Sequence, residues 1–550
     1  MSAVILGGGI SGLSAAYYLA RMAPSTTKIT LIEGKNRLGG WIESRRVTAG
    51  HYDNIHCLPK ENQQNTVLFE AGPRTLRPEG TNGAILLEMI RHLDLNNDDL
   101  LSIPKSHPSA KNRYIYYQDK INKLPSDFGS FLRQRPPVLK SVPLAGLLEP
   151  LRTSRFENGL PKNGEEDESI YSFISRRFNE HTATHLMGAV IHGIYAGDVR
   201  ALSLQSTLNS LYEAERTYGS AVLGMLKGVS QATQTMRERG MAARSRKDDP
   251  DWFGRMEKMS VIGFKTGMDS LPDKITAWLK QRPNVEIITH DSVQHIGEGK
   301  IKTEHREIEA DHIISTLPSS VLHSLLSRPL PHLMHNPAVD VAVVNLAYPS
   351  DIKLDYDGFG FLTPHRDSKY PNPVPGTLGV VFDSNSLPID SEHATKLTVM
   401  MGGSDWKDAF GDVSLDQLDP QVALQRARQA VSTFLGIHAE PHASMVHLQK
   451  QCIPQYLVGH RQRMRSLHHA IKQDYGHSLS VSGASYLGVS VPDCIKNSRM
   501  LVEELLVSGA LGSRQKIVTG LGRLEQEMTV EEMRDNARVS KSNTSVIIKS

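Results

Sequence analysis

Gly7, Gly9 and Gly12 stand in the order G-x-G-x-x-G between an apolar run, Ala3 to Leu6, and a segment with Leu13, Ala16, Tyr17 and Ala20 at helical spacing. The chemistry this pattern serves is pyrophosphate binding. The glycines permit a tight turn, close approach of backbone to phosphate and close helix–strand packing, and the helix N-terminus offers unpaired N–H groups and positive dipole. Glu33 ends a second strand-like run, Lys28 to Ile32, where a carboxylate accepts hydrogen bonds from ribose hydroxyls. The glycine pattern alone is weak. Its strand–turn–helix–strand setting and the acid at the end make dinucleotide binding the favoured reading. The competing reading of residues 3–20 is a secretory signal, but three glycines interrupt the run and no basic residue precedes Arg21.

Other residues have chemistry to offer. The Gly39-Gly40 pair, after Arg37 and before Trp41, lets the backbone pass close to a cofactor a second time, and Arg37 is placed to reach a phosphate or cap a helix. Gly72-Pro73-Arg74 is a rigid bend without a side chain at its first position. Arg113 enters a strand-like run. Its guanidinium stays charged and binds carboxylates through two parallel hydrogen bonds, although a lone arginine is more often a surface residue. Ser490 and Asp493 fit a capping box at a helix start. His181 and His185 share a helix face but lack a third ligand and the glutamate of a zincin, so no metal is expected. Cys57, Cys452 and Cys494 are too far apart in sequence to read as a disulfide framework.

Stepping out to the whole chain, 550 residues with 39% hydrophobic and 22% charged side chains suit two or three soluble domains with a large core. A net charge of +3, with basic and acidic residues interleaved, argues against nucleic acid. No run of about 18 uninterrupted apolar residues exists, so no transmembrane helix is expected. Residues 47–66 read as a polar surface insertion. From Leu124 to Arg152, apolar residues mix with Arg133, Arg135, Lys140 and Arg152, and no acid falls between Ser130 and Leu148; this suits either interfacial membrane contact or a helical subdomain packed on the core. Residues 169–229 are helical in pattern, 338–403 alternate strands and turns, and the polar stretch beyond Leu511 reads as peripheral or disordered.

G-x-G-x-x-G, a strand-end Glu33 and Arg37-x-Gly39-Gly40 together resemble the glycine-doublet flavin oxidoreductases, which include amine oxidases, phytoene desaturases and protoporphyrinogen oxidases. Phe69-Glu70-Ala71-Gly72-Pro73-Arg74, the His107–Tyr117 segment with Asn112-Arg113, GIYAGD at 193–198 and GASYLGVSVPDCI at 483–495 resemble the protoporphyrinogen oxidases in particular, over about residues 2–511. The 263–272 segment, in which Gly263 is not doubled, and Pro492, where relatives usually carry a polar residue, depart from the pattern.

The resemblance implies an α/β chain, α+β overall. A Rossmann-like FAD domain would comprise 1–105, 285–325 and 477–512, a β-rich substrate domain 230–284 and 326–476, and a mostly helical membrane-associating domain 106–229, followed by the 513–550 tail. It implies non-covalent FAD held by Gly7, Gly8, Gly9, Ile10, Ser11, Gly12, Glu33, Arg37, Gly39, Gly40, Trp41, Gly72, Pro73, Arg74, Thr75, Val293, Ala484, Val489, Ser490 and Val491. It implies Arg113 on a propionate of protoporphyrinogen IX, Leu362 and Gly193 lining the ring cavity, O2 as oxidant and H2O2 as product, with hydride passing to the flavin and no side-chain acid–base pair. It implies peripheral attachment to the mitochondrial inner membrane, although no arginine-rich presequence precedes the fold, and it allows for a homodimer and for product hand-off to ferrochelatase. The competing functions are a flavin amine oxidase and a flavin-free prenyl-protein escort of the same fold.

Overall fold

β1 (Ser2–Leu6) is the centre of a five-stranded parallel sheet, because Val4, Ile5 and Leu6 are β-branched or large and are buried on both faces. α1 (Ile10–Met22) follows at once. Its alanines favour helix, and Leu13 through Leu19 are all buried. It ends at Ala23, which is extended because Pro24 follows. β2 (Lys28–Ile32) pairs parallel to β1, from Ser2↔Lys28 to Leu6↔Ile32. Val285–Ile288, β2, β1, His312–Ser315 and Leu479–Val481 complete the sheet in that order. The helix Val491–Val507 packs along α1, joined by the Ser498 hydroxyl donating to the Ser11 carbonyl at 2.9 Å. The computed structural model describes residues 1–48, 66–126, 130, 136–229, 233–366, 369–389, 392–512, 516–526 and 528–538. Most of the 47–66 insertion lies outside them; the strands flanking it, Ser44–Thr48 and Thr66–Glu70, form an antiparallel pair.

The second body is a seven-stranded sheet in the order Ala443–Pro454, Ala338–Pro349, Ala394–Gly402, Thr377–Phe382, Gly360–Leu362, Arg113–Tyr117, Lys120–Leu124. One expected boundary is corrected here. The strands within 106–124 belong to this sheet and not to the helical segment, because Gly360–Leu362 pairs parallel with Arg113–Tyr117, matching Leu362 to Ile115. The helices from 142 to 226 form the third body around Phe156, Phe173, Ile174 and Tyr212.

The tail is corrected as well. Residues 516–526 and 528–538 are packed: Val481 N–H donates to the Thr519 carbonyl at 2.9 Å, and Leu521, Leu524, Met533 and Ala537 are buried. Its apolar residues are too sparse to give a periodic signal, yet each finds a place in an existing core. Residues 539–550 lie outside the described part. Among the described residues, no helix is long and apolar enough to cross a membrane.

Candidate functional site

The glycine turn is built so that only glycine fits. A Cβ at Gly12 would lie 1.9 Å from the Gly7 carbonyl oxygen, and Gly7 has φ +97°. Gly9 caps α1 with no side-chain hydrogen bond, so the first N–H groups of this helix stay available to an anion. Glu33 takes the Gly8 N–H at 2.7 Å and the Lys35 N–H at 2.9 Å, which fixes its carboxylate at the mouth of the turn.

The doublet folds back onto this turn. Gly39 N–H donates to the Gly8 carbonyl at 2.9 Å, and Gly9 and Gly39 form a parallel bridge. Both doublet glycines have positive φ, +105° and +63°. Arg37 turns inward: its guanidinium donates to the carbonyls of Leu38 (3.1 Å), Ile42 (2.8 Å) and Gly40, and lies 3.3 Å from Glu43. Its visible work is to hold the doublet loop, where the sequence suggested a phosphate contact or a cap.

Distant segments meet at Trp41. A Cβ at Gly72 would lie 2.2 Å from the Trp41 carbonyl oxygen, so Gly72-Pro73 passes directly over Trp41, the residue after the doublet. Trp41 also lines a cleft with Thr316, Asn336, Gln451, Ala484 and Ser485. Ser490 caps the helix Val491–Val507 through the expected box, taking the Asp493 N–H at 3.2 Å while Asp493 accepts from the Ser490 hydroxyl at 2.6 Å. Ile10 and Ser11 begin α1, and Val489 leads into the Ser490 cap. Val293 sits in a separate three-stranded sheet, paired with Thr303 and packed against the core beneath the parallel sheet. Arg74 turns away from the turn to pair with Asp383 at 3.4 Å. Among the described residues, no hydrogen bond of the Thr75 side chain is found.

The residues expected around a substrate also converge. Ile115 and Leu362 face the helix Gly188–Tyr195 in one apolar cluster, and a Cβ at Gly193 would lie 2.3 Å from Leu362 Cδ2. Arg113 is two residues before Ile115 and so on the same sheet face. Its guanidinium donates to the Ser109 carbonyl at 2.7 Å and lies over the Phe359 ring at 5.1 Å, with no carboxylate partner among the described residues. Burial lowers its pKa, and nearby Arg77 lowers it further. The positive charge of Arg113, reinforced by nearby Arg77, makes a place for an anion.

Sequence reading missed a buried triad behind this wall. Asp405 lies 3.3 Å from His192 Nε2 and 3.0 Å from His365 Nε2. Despite its burial, which by itself acts upward, the two imidazoles hold its carboxyl far below the usual range. His192 adjoins Gly193 in sequence, and that adjacency is the only signal that could have pointed to it. His181 and His185 pack on the Tyr117 ring, and His181 Nε2 lies 3.0 Å from its hydroxyl. Among the described residues, no group of three or more His, Cys, Asp or Glu is placed to hold a metal.

Comparison with known proteins gives one consistent answer. The family model for flavin-containing amine oxidoreductases matches residues 10–506. The chain is 37% identical to the protoporphyrinogen oxidase of Schizosaccharomyces pombe over 514 residues, covering 92% of this chain and 98% of that protein. It is 35% identical to the protoporphyrinogen oxidase of Homo sapiens with the same coverage. Among solved structures, a protein of Exiguobacterium sp. 255-15 proposed to be a protoporphyrinogen oxidase superposes with a TM-score of 0.67 at 21% identity, covering 92% of this chain and 99% of that one. Cyclohexylamine oxidase from Brevibacterium oxydans does so with a TM-score of 0.57 at 14% identity and the same coverage. These structural likenesses carry the fold.

Proposed function

The chain belongs to the flavin-containing amine oxidoreductases and groups with the protoporphyrinogen oxidases among them, and from that premise we propose FAD, bound without a covalent link, as its cofactor and O2 as its oxidant. It is a flavin-dependent oxidoreductase that oxidises protoporphyrinogen on the haem pathway. When bound, the flavin supplies the two-electron acceptor. Removing six electrons and six hydrogens from protoporphyrinogen IX, two at a time, balances against three O2 reduced to three H2O2.

The residues present fit a dinucleotide. The uncapped N–H groups of α1 take the pyrophosphate, the glycines leave room for it, and Glu33 takes the ribose hydroxyls. The Trp41–Ala484 cleft continues from that turn. Cys494 is buried, and burial pushes its thiol up to about 12, so it is a poor nucleophile for covalent attachment.

The observation that carries the substrate reading is the position of Arg113: a half-buried guanidinium with no acid partner among the described residues, on the face where Leu362 meets Gly193. Arg113 holds a propionate, and the wall formed by Leu362 and Gly193 lines the ring. Membrane attachment is supported by Leu144, Leu147 and Leu151, exposed at 63%, 75% and 82%, on consecutive short helices between Lys140 and Arg152. The mitochondrial inner membrane is the proposed location. A homodimer and product hand-off to ferrochelatase complete the proposal.

An aerobic fluorescence assay with protoporphyrinogen IX tests the function, with coproporphyrinogen III run in parallel. The expected result is porphyrin fluorescence well above the autoxidation control from a yellow protein that releases free FAD on acid precipitation. Fluorescence equal to the control would overturn the reading.

A further inference from the structure

The turn Gly483–Gly488 presents Ala484 and Ser485 to the Trp41 cleft and turns the carbonyls of Ala484, Ser485, Tyr486 and Leu487 into the protein, where each of these four meets a side chain. Ala484 O accepts from the Tyr456 hydroxyl at 2.6 Å, Ser485 O from the Asn336 amide at 3.2 Å, and Tyr486 O lies 2.7 Å from His460 Nε2. Tyr456 stacks on His460 with ring centroids 4.0 Å apart, and its hydroxyl also accepts the Gly488 N–H at 2.8 Å. Leu487 O takes two donors, Asn497 Nδ2 at 3.2 Å and Arg523 Nη2 at 2.9 Å.

Arg523 differs from the rest of this set in origin. It lies beyond the last long helix and outside the 10–506 span of the family model. Its Nη1 donates to Asn497 Oδ1 at 3.1 Å, so one guanidinium holds both the carbonyl and the second donor to that carbonyl. Glu238 lies 3.8 Å away and is shared with Lys496 at 3.0 Å, so one carboxylate faces both cations. The strap carrying Arg523 is anchored on both sides. Before it, Val481 N–H meets Thr519 O at 2.9 Å. After it, Arg216 donates to Met528 O at 2.8 Å, Arg534 to Thr217 O at 3.1 Å, and Met533 and Ala537 pack on Ala214 and Val229 of the helical segment.

We propose that Arg523 is a positioning residue for the cofactor site: the C-terminal strap sets the Leu487 carbonyl, and through it the turn beside the cleft. The proposal rests on the reading that the cleft takes the flavin. The strap thereby ties this turn to the helical segment that carries Gly193. A guanidinium suits the task because it reaches two acceptors at fixed geometry, which an ammonium does not.

The test uses the full-length holoenzyme with Arg523→Met and Arg523→Lys. Hydrogen exchange is followed in the peptide covering 483–489, with the β1 peptide as internal control, alongside the flavin absorption spectrum, kcat and KM. For Arg523→Met, exchange at 483–489 rises about tenfold with β1 unchanged. Its flavin spectrum shifts, and kcat falls about tenfold while KM stays within about twofold. Arg523→Lys lies between the two and decides the matter if the methionine variant does not fold. Wild-type exchange at 483–489 in the folded variant, or wild-type kcat with an unshifted spectrum, overturns the proposal. Flavin content and porphyrin formation of the unsubstituted protein report separately on the function, and the exchange measurement tests the strap whatever they show.

Discussion

Leu362 occupies the space that a side chain at Gly193 would need: a Cβ there would lie 2.3 Å from Leu362 Cδ2 and 3.0 Å from its Cγ. The contact sets the separation between the helix Gly188–Tyr195 and the strand Gly360–Leu362, which together form the wall assigned to the macrocycle. Gly193→Ala forces the leucine off its rotamer or the helix outward, at about 1–3 kcal/mol of stability. Its expected effect is a KM for protoporphyrinogen raised about tenfold, with an unchanged flavin spectrum. Leu362→Ala in the same chain relieves the clash, so the double variant is more stable than the two single effects summed. Additive effects in a double-mutant cycle would show that the contact does not set that separation.

Arg113 gives a second, independent handle on the same wall. Among the described residues its guanidinium hydrogen-bonds to the Ser109 carbonyl and to no carboxylate, so Arg113→Ala removes a charge without stranding a buried acid. A charge-assisted hydrogen bond contributes about 1.5–3 kcal/mol, so KM rises between about tenfold and a hundredfold with FAD content unchanged. Arg113→Lys recovers part of this, because it keeps the charge and loses the two-point grip. Steady-state kinetics on the flavin-replete variants decides it; an unchanged KM removes Arg113 from the substrate site.

Why the opening motif was legible and its supports were not is a matter of sequence distance. Gly7, Gly9, Gly12 and Glu33 act within one strand–helix–strand unit, so residue type and spacing suffice. Arg37 follows that unit closely in sequence, yet its acceptors are loop carbonyls that no spacing rule marks. Arg74 pairs with Asp383, 309 residues on, and His192 shares Asp405 with His365; both relations exist only once the seven-stranded sheet has formed. The strand Arg113–Tyr117 falls inside the 106–229 division that the resemblance implies, whereas its parallel partner, Gly360–Leu362, lies far along the chain and no spacing marks it. The tail was misread for a related reason. Val518, Leu521 and Leu524 are separate apolar residues in polar text, each buried by a core built elsewhere.

The helical segment is organised around a charge. Arg177 is fully buried and paired with Glu149, which also accepts the Ala221 N–H at 2.9 Å and the Val222 N–H at 3.1 Å. Arg177→Met leaves Glu149 buried without its cation, and breaking such a pair costs about 3–5 kcal/mol. Thermal unfolding should show a large fall in Tm, and replacing both residues by apolar ones of similar volume should cost less than Arg177→Met alone. A single variant with wild-type Tm would mean that the Ala221 and Val222 N–H groups and the Ser220 hydroxyl suffice to stabilise Glu149.

Glu70 gives a pH dependence with a defined sign. It immediately precedes the Ala71-Gly72-Pro73 bend, and burial pushes its carboxyl from 4.5 up to about 8, against the Ser44 hydroxyl at 2.7 Å, the Met268 N–H at 2.9 Å and the charge of Arg74. With a folded-state pKa above the unfolded one, the folded protein holds a proton that the unfolded chain has released. Stability from this group is therefore full below pH 4.5, falls as pH rises, and is lost once pH passes about 8. Glu70→Gln keeps the neutral shape, since an amide oxygen can take the Met268 N–H while the amide nitrogen donates to the Ser44 hydroxyl. Denaturant unfolding of both proteins across this range should therefore show curves that coincide in acid and diverge by a few kcal/mol toward pH 8, with the variant the more stable. Parallel curves throughout would place the Glu70 pKa near its ordinary value and remove it as the source of alkaline instability beside the bend.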